Sequence, residues 1–470
     1  MPQPAADKKV IEIHPQGLYK SEPKVYPRSI KGLFTSWRWI FVWLTQAVYF
    51  GLCWLPWNGR QAVLFDLDAR RFYLFDLVLW PQDTIYLAVL LILSALALFL
   101  FTTVAGRLWC GYSCPQTVYT EIFLWMEKAI EGERPQRMKL DAAPWSFHKL
   151  RVKVAKHGAW IAFSLWTGFT FVGYFTPIRE LMAEVATLSL SGWESFWVLF
   201  YGAATYGNAG FLREQMCKYI CPYARFQSVM FDRDTLIITY DAKRGENRGT
   251  RKKGADPKAL GLGDCVDCGL CVQVCPTGID IRNGLQNECI GCAACIDACD
   301  QVMDKVGYPR GLVRYSTENA VQENLGRSQI LRRALRPRTL MYAAVFLGIT
   351  IATGWSLATR MPLKVDILRD RAALAREAED GAIENTFQLH LTNASESPKA
   401  YSVQVAGIDG IRLEKAADIE IPAAGTASVT VQVKADAGSA PSGANPITFT
   451  VGDRSDPNVA VTEKAKFWMP

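Results

Sequence analysis

Five stretches of the chain are free of charge and predominantly apolar. They begin near Trp39, Thr84, Gly158, Ser195 and Thr339 and end near Trp57, Gly106, Ile178, Leu212 and Thr359. Each is long enough for a helix to cross a bilayer, which takes about 17 to 25 mostly apolar residues. The fourth is the weakest, because Gly202, Gly207, Asn208 and Gly210 make it short and polar. It is therefore expected to pack inside a bundle instead of facing lipid. The first does not read as a signal peptide, since about 38 residues precede it and no small-residue cleavage site follows.

The period changes near Glu384. Phe387, Leu389 and Leu391 alternate with polar residues, and Ser428 to Val433 and Ile447 to Val451 repeat the alternation between clusters of Gly, Pro, Asn and Asp. Short strands at this spacing predict a small antiparallel β-sandwich of the immunoglobulin kind. Before it, Val365 to Glu379 reads as a charged helical stalk, and Asn393-Ala394-Ser395 reads as a turn although it fits a glycosylation acceptor.

Charge orients these elements. Lys and Arg number seven before the first span, three in residues 57–83, nine from Arg107 to Lys156, one in residues 179–194 and twenty from Arg213 to Arg338. The positive-inside rule places the N-terminus, the Arg107 loop and the Arg213 segment in the cytoplasm, and an odd number of spans puts the tail in the periplasm. The expected organisation is a cytoplasmic segment (1–38), four helices (39–212), a cytoplasmic region (213–338), a fifth helix (339–359) and a periplasmic stalk and sandwich (360–470). With half of its 470 residues hydrophobic and 21% charged, the chain is too apolar for an ordinary soluble enzyme, and its net charge of +7 reports loop asymmetry. Nothing in it reads as a nucleic-acid-binding module.

Thirteen cysteines sharpen the picture. Cys265-x2-Cys268-x2-Cys271-x3-Cys275-Pro276 has bacterial ferredoxin spacing, and Cys289-x2-Cys292-x2-Cys295-x3-Cys299 repeats it 24 residues later. In such paired runs the fourth Cys ligates the other cluster, so Cys265, Cys268, Cys271 and Cys299 are expected to hold one 4Fe-4S cluster and Cys289, Cys292, Cys295 and Cys275 the other. A ferredoxin-like α+β module over about 255–310 follows. Small residues between the ligands, Gly269, Gly291, Ala293 and Ala294, leave room for inorganic sulfide. Zinc would close with four ligands and rarely uses two interlocked runs. Asp300 stands where the second run would carry proline.

A second repeat is quieter. Cys110-Gly-Tyr-Ser-Cys114-Pro115 and Cys217-Lys-Tyr-Ile-Cys221-Pro222 each follow the second helix of a predicted hairpin, with an Arg shortly ahead. The arrangement suggests two hairpins related by a pseudo-two-fold. If the helix continues to Cys114, both sulfurs share one face, and the two pairs could converge into a four-thiolate site suited to Cu(I), zinc or an iron-sulfur cluster. Arg107, Arg213 and Lys218 would favour thiolate over thiol. Cys53 is simply a small buried residue.

Other chemistries lack their residues. His14, His148, His157 and His390 are the only histidines, and none lies well inside a span to pair on haem. No Gly-x-Gly-x-x-Gly or Walker loop is present. The basic run Lys243, Arg244, Arg248, Arg251, Lys252 and Lys253 reads most simply as a segment resting on anionic lipid.

Taken together, the Cys-x3-Cys-Pro pair, the doubled ferredoxin run between the fourth and fifth helices and the immunoglobulin-like tail resemble the CcoG family, also called FixG or RdxA, of cbb3-type cytochrome oxidase assembly proteins. Pro56-Trp57, Ala62 to Asp66, Trp80-Pro81-Gln82-Asp83, Tyr308-Pro309-Arg310-Gly311 and Glu384-Asn385 agree as well. The resemblance implies an inner-membrane cupric reductase that converts Cu(II) to Cu(I) for the oxidase. It carries copper handling onto Cys110, Cys114, Cys217 and Cys221. It also implies copper transporters or chaperones and oxidase assembly components as partners, an electron donor of unspecified identity, and self-association as an option. Rival readings are a quinol dehydrogenase-type membrane ferredoxin and a non-enzymatic metallochaperone or assembly scaffold.

Overall fold

The computed structural model describes residues 24–251, 259–370, 374–378, 381–415 and 418–470. Eight helices organise it: α1 (Leu33–Gly51), α2 (Thr84–Ala105), α3 (Leu108–Tyr112), α4 (Pro115–Glu131), α5 (Phe147–Val172), α6 (Gly192–Gly207), α7 (Ala294–Val306) and α8 (Pro337–Ala358). Two helical segments among the described residues are long and apolar enough to cross a membrane, Pro81–Ala105 and Pro337–Ala358. Leu87, Leu90 and Leu91 of the first and Val345, Leu347 and Ile351 of the second are exposed, as residues facing hydrocarbon must be.

The remaining helices depart from the sequence expectation in detail. Helix α1 begins six residues before Trp39 and ends at Gly51, and Leu52–Trp54 then turns the chain into short strands. Helix α5 starts well ahead of Gly158, with Lys149, Lys153 and Lys156 in its first half. Helix α6 is not enclosed in a bundle. It buries its Gly202 side against Gly168 of α5, where a Cβ on Gly168 would lie 2.3 Å from the Val198 carbonyl, but Trp193, Phe196, Leu199 and Phe200 are exposed. Small residues at one seam let the backbones meet and leave the opposite face to its surroundings. The pseudo-two-fold is also broken, because α5 packs along α6 whereas α2 packs along α8.

After α8 the chain enters the sandwich at once. The segment Val365 to Glu379 is expected as a helical stalk, but Leu363–Arg369 forms a strand antiparallel to Ile383–Asn393, since Leu363 and Val365 point into the core, and Arg376–Glu377 a short strand; residues 371–373 and 379 lie outside the described residues. One sheet joins these strands to Thr426–Ala435 and the short Arg412–Leu413 and Arg376–Glu377; the other orders Asp418–Ile421, Lys399–Ala406, Gly443–Asp453 and Ala460–Met469. Phe387, Leu389, Val433, Phe449 and Phe467 are completely enclosed between the sheets, and the Phe387 and Phe449 rings meet edge to face at 5.2 Å. Asn393 is fully buried, and its side chain accepts from the Ser395 N–H at 3.0 Å, so the acceptor-like tripeptide is an Asx turn.

The sandwich stands at the end of the molecule formed by residues 56–83. Val78 and Trp80 pack against Ala394 and Ala424, and Asp83 is paired with Arg360 at 2.5 Å and Lys364 at 2.6 Å. The cysteine-rich module lies at the opposite ends of α1 and α2. Arg244, expected on lipid, instead pairs with Asp264 at 2.5 Å, while Arg251 donates to the Gly263 carbonyl at 2.7 Å and covers the Tyr308 ring. Lys252 and Lys253 lie outside the described residues.

Candidate iron-sulfur and thiol site

The two ferredoxin runs fold alike. Asp267 and Gly269 flank Cys268, and Gly291 and Ala293 flank Cys292; all four flanking residues adopt positive φ. The left-handed turns curl each loop inward before a helix begins at Leu270 and at Ala294. Cys265, Cys268, Cys271 and Cys299 line one cavity. Cys275, Cys289, Cys292 and Cys295 line a second, with Cys271 on the shared side. Cys299 thus meets the first run and Cys275 the second.

These cavities suit a cluster better than a single ion. Among the described residues no three His, Cys, Asp or Glu side chains group tightly enough to hold one metal ion. A cubane keeps its ligands further apart than a mononuclear ion does, and the Ile, Leu, Val and small residues around the cysteines keep water away from it. Burial pushes Cys271 up to about 11 against the pull of Arg282, and burial with repulsion from Cys271 pushes Cys299 up to about 12. Buried cysteines of that kind stay protonated unless a metal takes the place of the proton. The donor set therefore fits two 4Fe-4S clusters.

The Cys-x3-Cys-Pro motifs converge beside the second cavity. Cys110 and Cys217 pack against the module's core. Cys110 interacts electrostatically with Cys114 and Cys217, and Cys221 with Cys114 and Cys217, so the four thiols share one neighbourhood without closing into a mononuclear site. The first motif rests directly on the cluster loop: a Cβ on Gly111 would lie 2.9 Å from the Cys292 backbone, and one on Gly291 3.1 Å from the Arg107 carbonyl. Arg107 clamps the contact by donating to the Asn287 and Ala224 carbonyls.

Local geometry corrects two expectations. Helix α3 ends at Tyr112 and Cys114 is extended, while the second motif winds through a π-turn at Met216–Ile220 before extended Cys221, so neither pair shares a simple i, i+4 face. Proline after each second cysteine begins a new helix, which requires that break. Burial dominates over Arg107 and pushes Cys110 up to about 12 and Cys217 up to about 11, favouring thiol. The Arg213 guanidinium is committed elsewhere, 2.6 Å from Glu127 and 2.8 Å from the Gly210 carbonyl.

Three supporting carboxylates escape a motif search. Asp297 caps α1 through the Thr35 N–H at 2.7 Å, Glu121 pairs with buried Arg38 at 2.7 Å, and Glu127 gathers Arg137 and Arg213. The signal for Asp297 is a carboxylate inside a Cys-x3-Cys helix, and for Glu127 a glutamate on the apolar side of an amphipathic helix.

Known proteins agree with this anatomy. The family described as a 4Fe-4S dicluster domain matches residues 212–318, a 4Fe-4S binding domain matches residues 87–131, and the Ig-like fold at the C-terminus of FixG matches residues 353–470. The nitrogen fixation protein FixG of Rhizobium meliloti is 37% identical over 422 residues, covering 83% of this chain and 80% of that protein. Protein RdxA of Cereibacter sphaeroides is 38% identical over 448 residues, covering 93% of each. A crystal structure of a FixG-related protein from Vibrio parahaemolyticus aligns with 23% of this chain and 96% of its own at 21% identity and a TM-score of 0.21. With the doubled cluster cradle, the sandwich and relatives matched along most of their length, the chain belongs to the FixG/RdxA family of iron-sulfur redox proteins.

Proposed function

We propose that the protein reduces Cu(II) to Cu(I) at the cytoplasmic edge of the bacterial inner membrane, with Cys110, Cys114, Cys217 and Cys221 receiving the copper. The observation carrying this reading is that Cys110 and Cys217 pack against the core of the cluster module, with Gly111 seated directly on the Cys292 backbone. The eight ferredoxin cysteines would hold the clusters, which would supply single electrons when bound. Cu(II) requires one, and soft sulfur ligands favour the reduced ion. Gly111, by leaving no side chain between the thiol group and the loop, keeps the separation short.

Helices α1, α2, α5, α6 and α8 form the membrane part, with the cysteine-rich module inside and the sandwich outside. The exposed apolar faces and the uneven Lys and Arg counts support that orientation. Cu(I) leaving the thiols is passed to copper chaperones or transporters and onward to a cbb3-type oxidase. The test mixes anaerobically purified, chemically reduced protein with Cu(II) and a Cu(I)-selective chelator. Stoichiometric chelator signal is expected, and a signal no greater than that of reductant-free protein overturns the reading.

A further inference from the structure

A cavity of about 660 Å³ separates α1 and α4 from the second cluster loop. Its floor is Val274, Pro276 and Ala294, the chain neighbours of Cys275 and Cys295. Its walls are Trp39, Trp43, Leu124 and Trp125, and Ser36, Arg38 and Glu121 supply polar groups. We infer that this cavity binds the head group of a quinone-class lipid, which serves as the electron donor to the copper-reducing site. The inference rests on the proposed membrane placement of α1.

Size and lining fit such a ligand. Pockets for cofactor-sized molecules run from about 300 to 1,000 Å³ and are mostly apolar with a few placed polar groups. Trp43 and Trp125 at the lip are exposed, and Ile40 and Leu44 continue the apolar surface along α1. A ligand with an isoprenoid tail can therefore enter from the lipid. Tryptophans at this depth match the interfacial belt where a polar ring and an apolar tail part company.

Most of the charge lining the cavity is committed to ion pairs within the protein. Of the five cations lining the cavity, three are already matched by carboxylates, Arg38 with Glu121 at 2.7 Å, Lys128 with Glu133 at 2.9 Å and Arg137 with Glu127 at 3.0 Å, while Arg28 and Lys31 stand exposed at the mouth. A phosphate site would leave its cations for the ligand. Hydroxyl and carboxylate groups able to donate or accept suit quinone oxygens better. Oxidation of a quinol to a quinone releases two electrons and two protons, a count that two one-electron centres match; Glu121 and the exposed mouth at Arg28 and Lys31 open a way out for the protons.

The experiment uses the full chain in nanodiscs and an azido-quinone photolabel. Labelling is expected within residues 27–43 and 121–128, with protection by excess decylubiquinone and not by phosphatidylglycerol. Ser36→Phe, which fills the cavity from an exposed helical position, is expected to weaken binding about tenfold or more, and Trp125→Ala to weaken it less, with iron content unchanged in both. Labelling elsewhere, protection by phosphatidylglycerol alone, or binding indifferent to both substitutions overturns the inference. No copper enters the measurement, so a failed copper assay and a failed quinone site are separate results.

Discussion

Asp297 holds Thr35 at both of its polar groups, accepting its backbone N–H and its hydroxyl at 2.7 Å each, and takes the Phe34 N–H at 3.2 Å besides. The carboxylate lies between Cys295 and Cys299 on α7, so the N-terminus of α1 is capped by the cluster helix itself. Gly32 leaves the space, since a Cβ there would lie 2.2 Å from the Asp297 carboxyl carbon.

Removing that cap is expected to loosen the module from α1. Asp297→Ala should cost about 1 to 2 kcal/mol, the range for losing a helix N-cap. Gly32→Ala should cost about 1 to 3 kcal/mol by forcing the carboxylate aside. Denaturant midpoints followed by cluster absorbance would show both, and an unchanged midpoint for Gly32→Ala would mean that the cap tolerates displacement.

Glu127 is the larger liability. It is almost fully buried, 2.6 Å from Arg213 and 3.0 Å from Arg137, with Lys156 at 3.8 Å. Burial opposes its ionisation, but Arg213 outweighs it and holds the carboxyl below its usual range. Glu127→Gln leaves buried cations under-compensated and is expected to cost about 3 to 5 kcal/mol, against about 1 or less for exposed Glu133→Gln. Arg213 has a φ of 38° and stands four residues before Cys217, so the same change should disturb the thiol group. Thermal unfolding of the two variants compares them directly.

How far these features could be read in advance depended on range. The grouping of the eight cysteines around two cavities follows from spacing within 35 residues, from Cys265 to Cys299, and the sandwich core from strict alternation. The cap joins residues 262 apart, which no local pattern encodes. The strand at Leu363–Arg369 was legible in principle, because Leu363, Val365 and Ile367 alternate, but Lys364, Asp366 and Arg369 gave an equally good helical charge pattern. Tertiary pairing with Ile383–Asn393 decided it. The unequal motifs at Cys110 and Cys217 differ through a π-turn that identical cysteine spacing cannot reveal.

The sandwich should respond to acid through Asp453. Burial opposes its ionisation, yet Lys399 at 2.8 Å and the Ser455 hydroxyl at 2.7 Å prevail and bring the carboxyl down to about 2. An unfolded Asp titrates near ~3.9, so between these values the unfolded chain binds more protons than the folded one. The stability contributed by Asp453 is thus complete above about pH 4 and lost as pH falls towards about 2. Asp453→Asn should flatten that part of the pH profile of the unfolding temperature.

Topology is open to a direct check. Reporter fusions after Arg107 and Arg213 should read as cytoplasmic and fusions after Glu384 as periplasmic, following counts of nine and twenty Lys and Arg against three and one. The Asp83 pairs with Arg360 and Lys364 put residues 56–83 and the sandwich on one side, so a fusion within residues 56–83 should read like one after Glu384, and a split between the two would contradict the contacts.

The two kinds of cysteine can be separated by replacing each in turn. Wild-type protein is expected to carry about eight irons per chain, two 4Fe-4S clusters' worth, with a broad absorption band that bleaches on reduction. Replacing both Cys217 and Cys221 with Ser should leave that iron nearly intact, because these thiols stand outside the ferredoxin cavities. Serine keeps the volume but offers a hard hydroxyl for a soft sulfur, so copper reduction should fall by roughly 10- to 100-fold or more, the cost of disturbing even an outer shell of a metal site. Cys268→Ser should behave in the opposite sense. It removes a cysteine from the first cavity, so iron and electron transfer are expected to be lost together. Iron content and chelator-trapped Cu(I), measured on both variants, make the comparison. Full copper activity in the Cys217/Cys221 variant would move reduction to the ferredoxin clusters themselves. Loss of iron from it would instead assign the four converging thiols to an additional iron-sulfur centre.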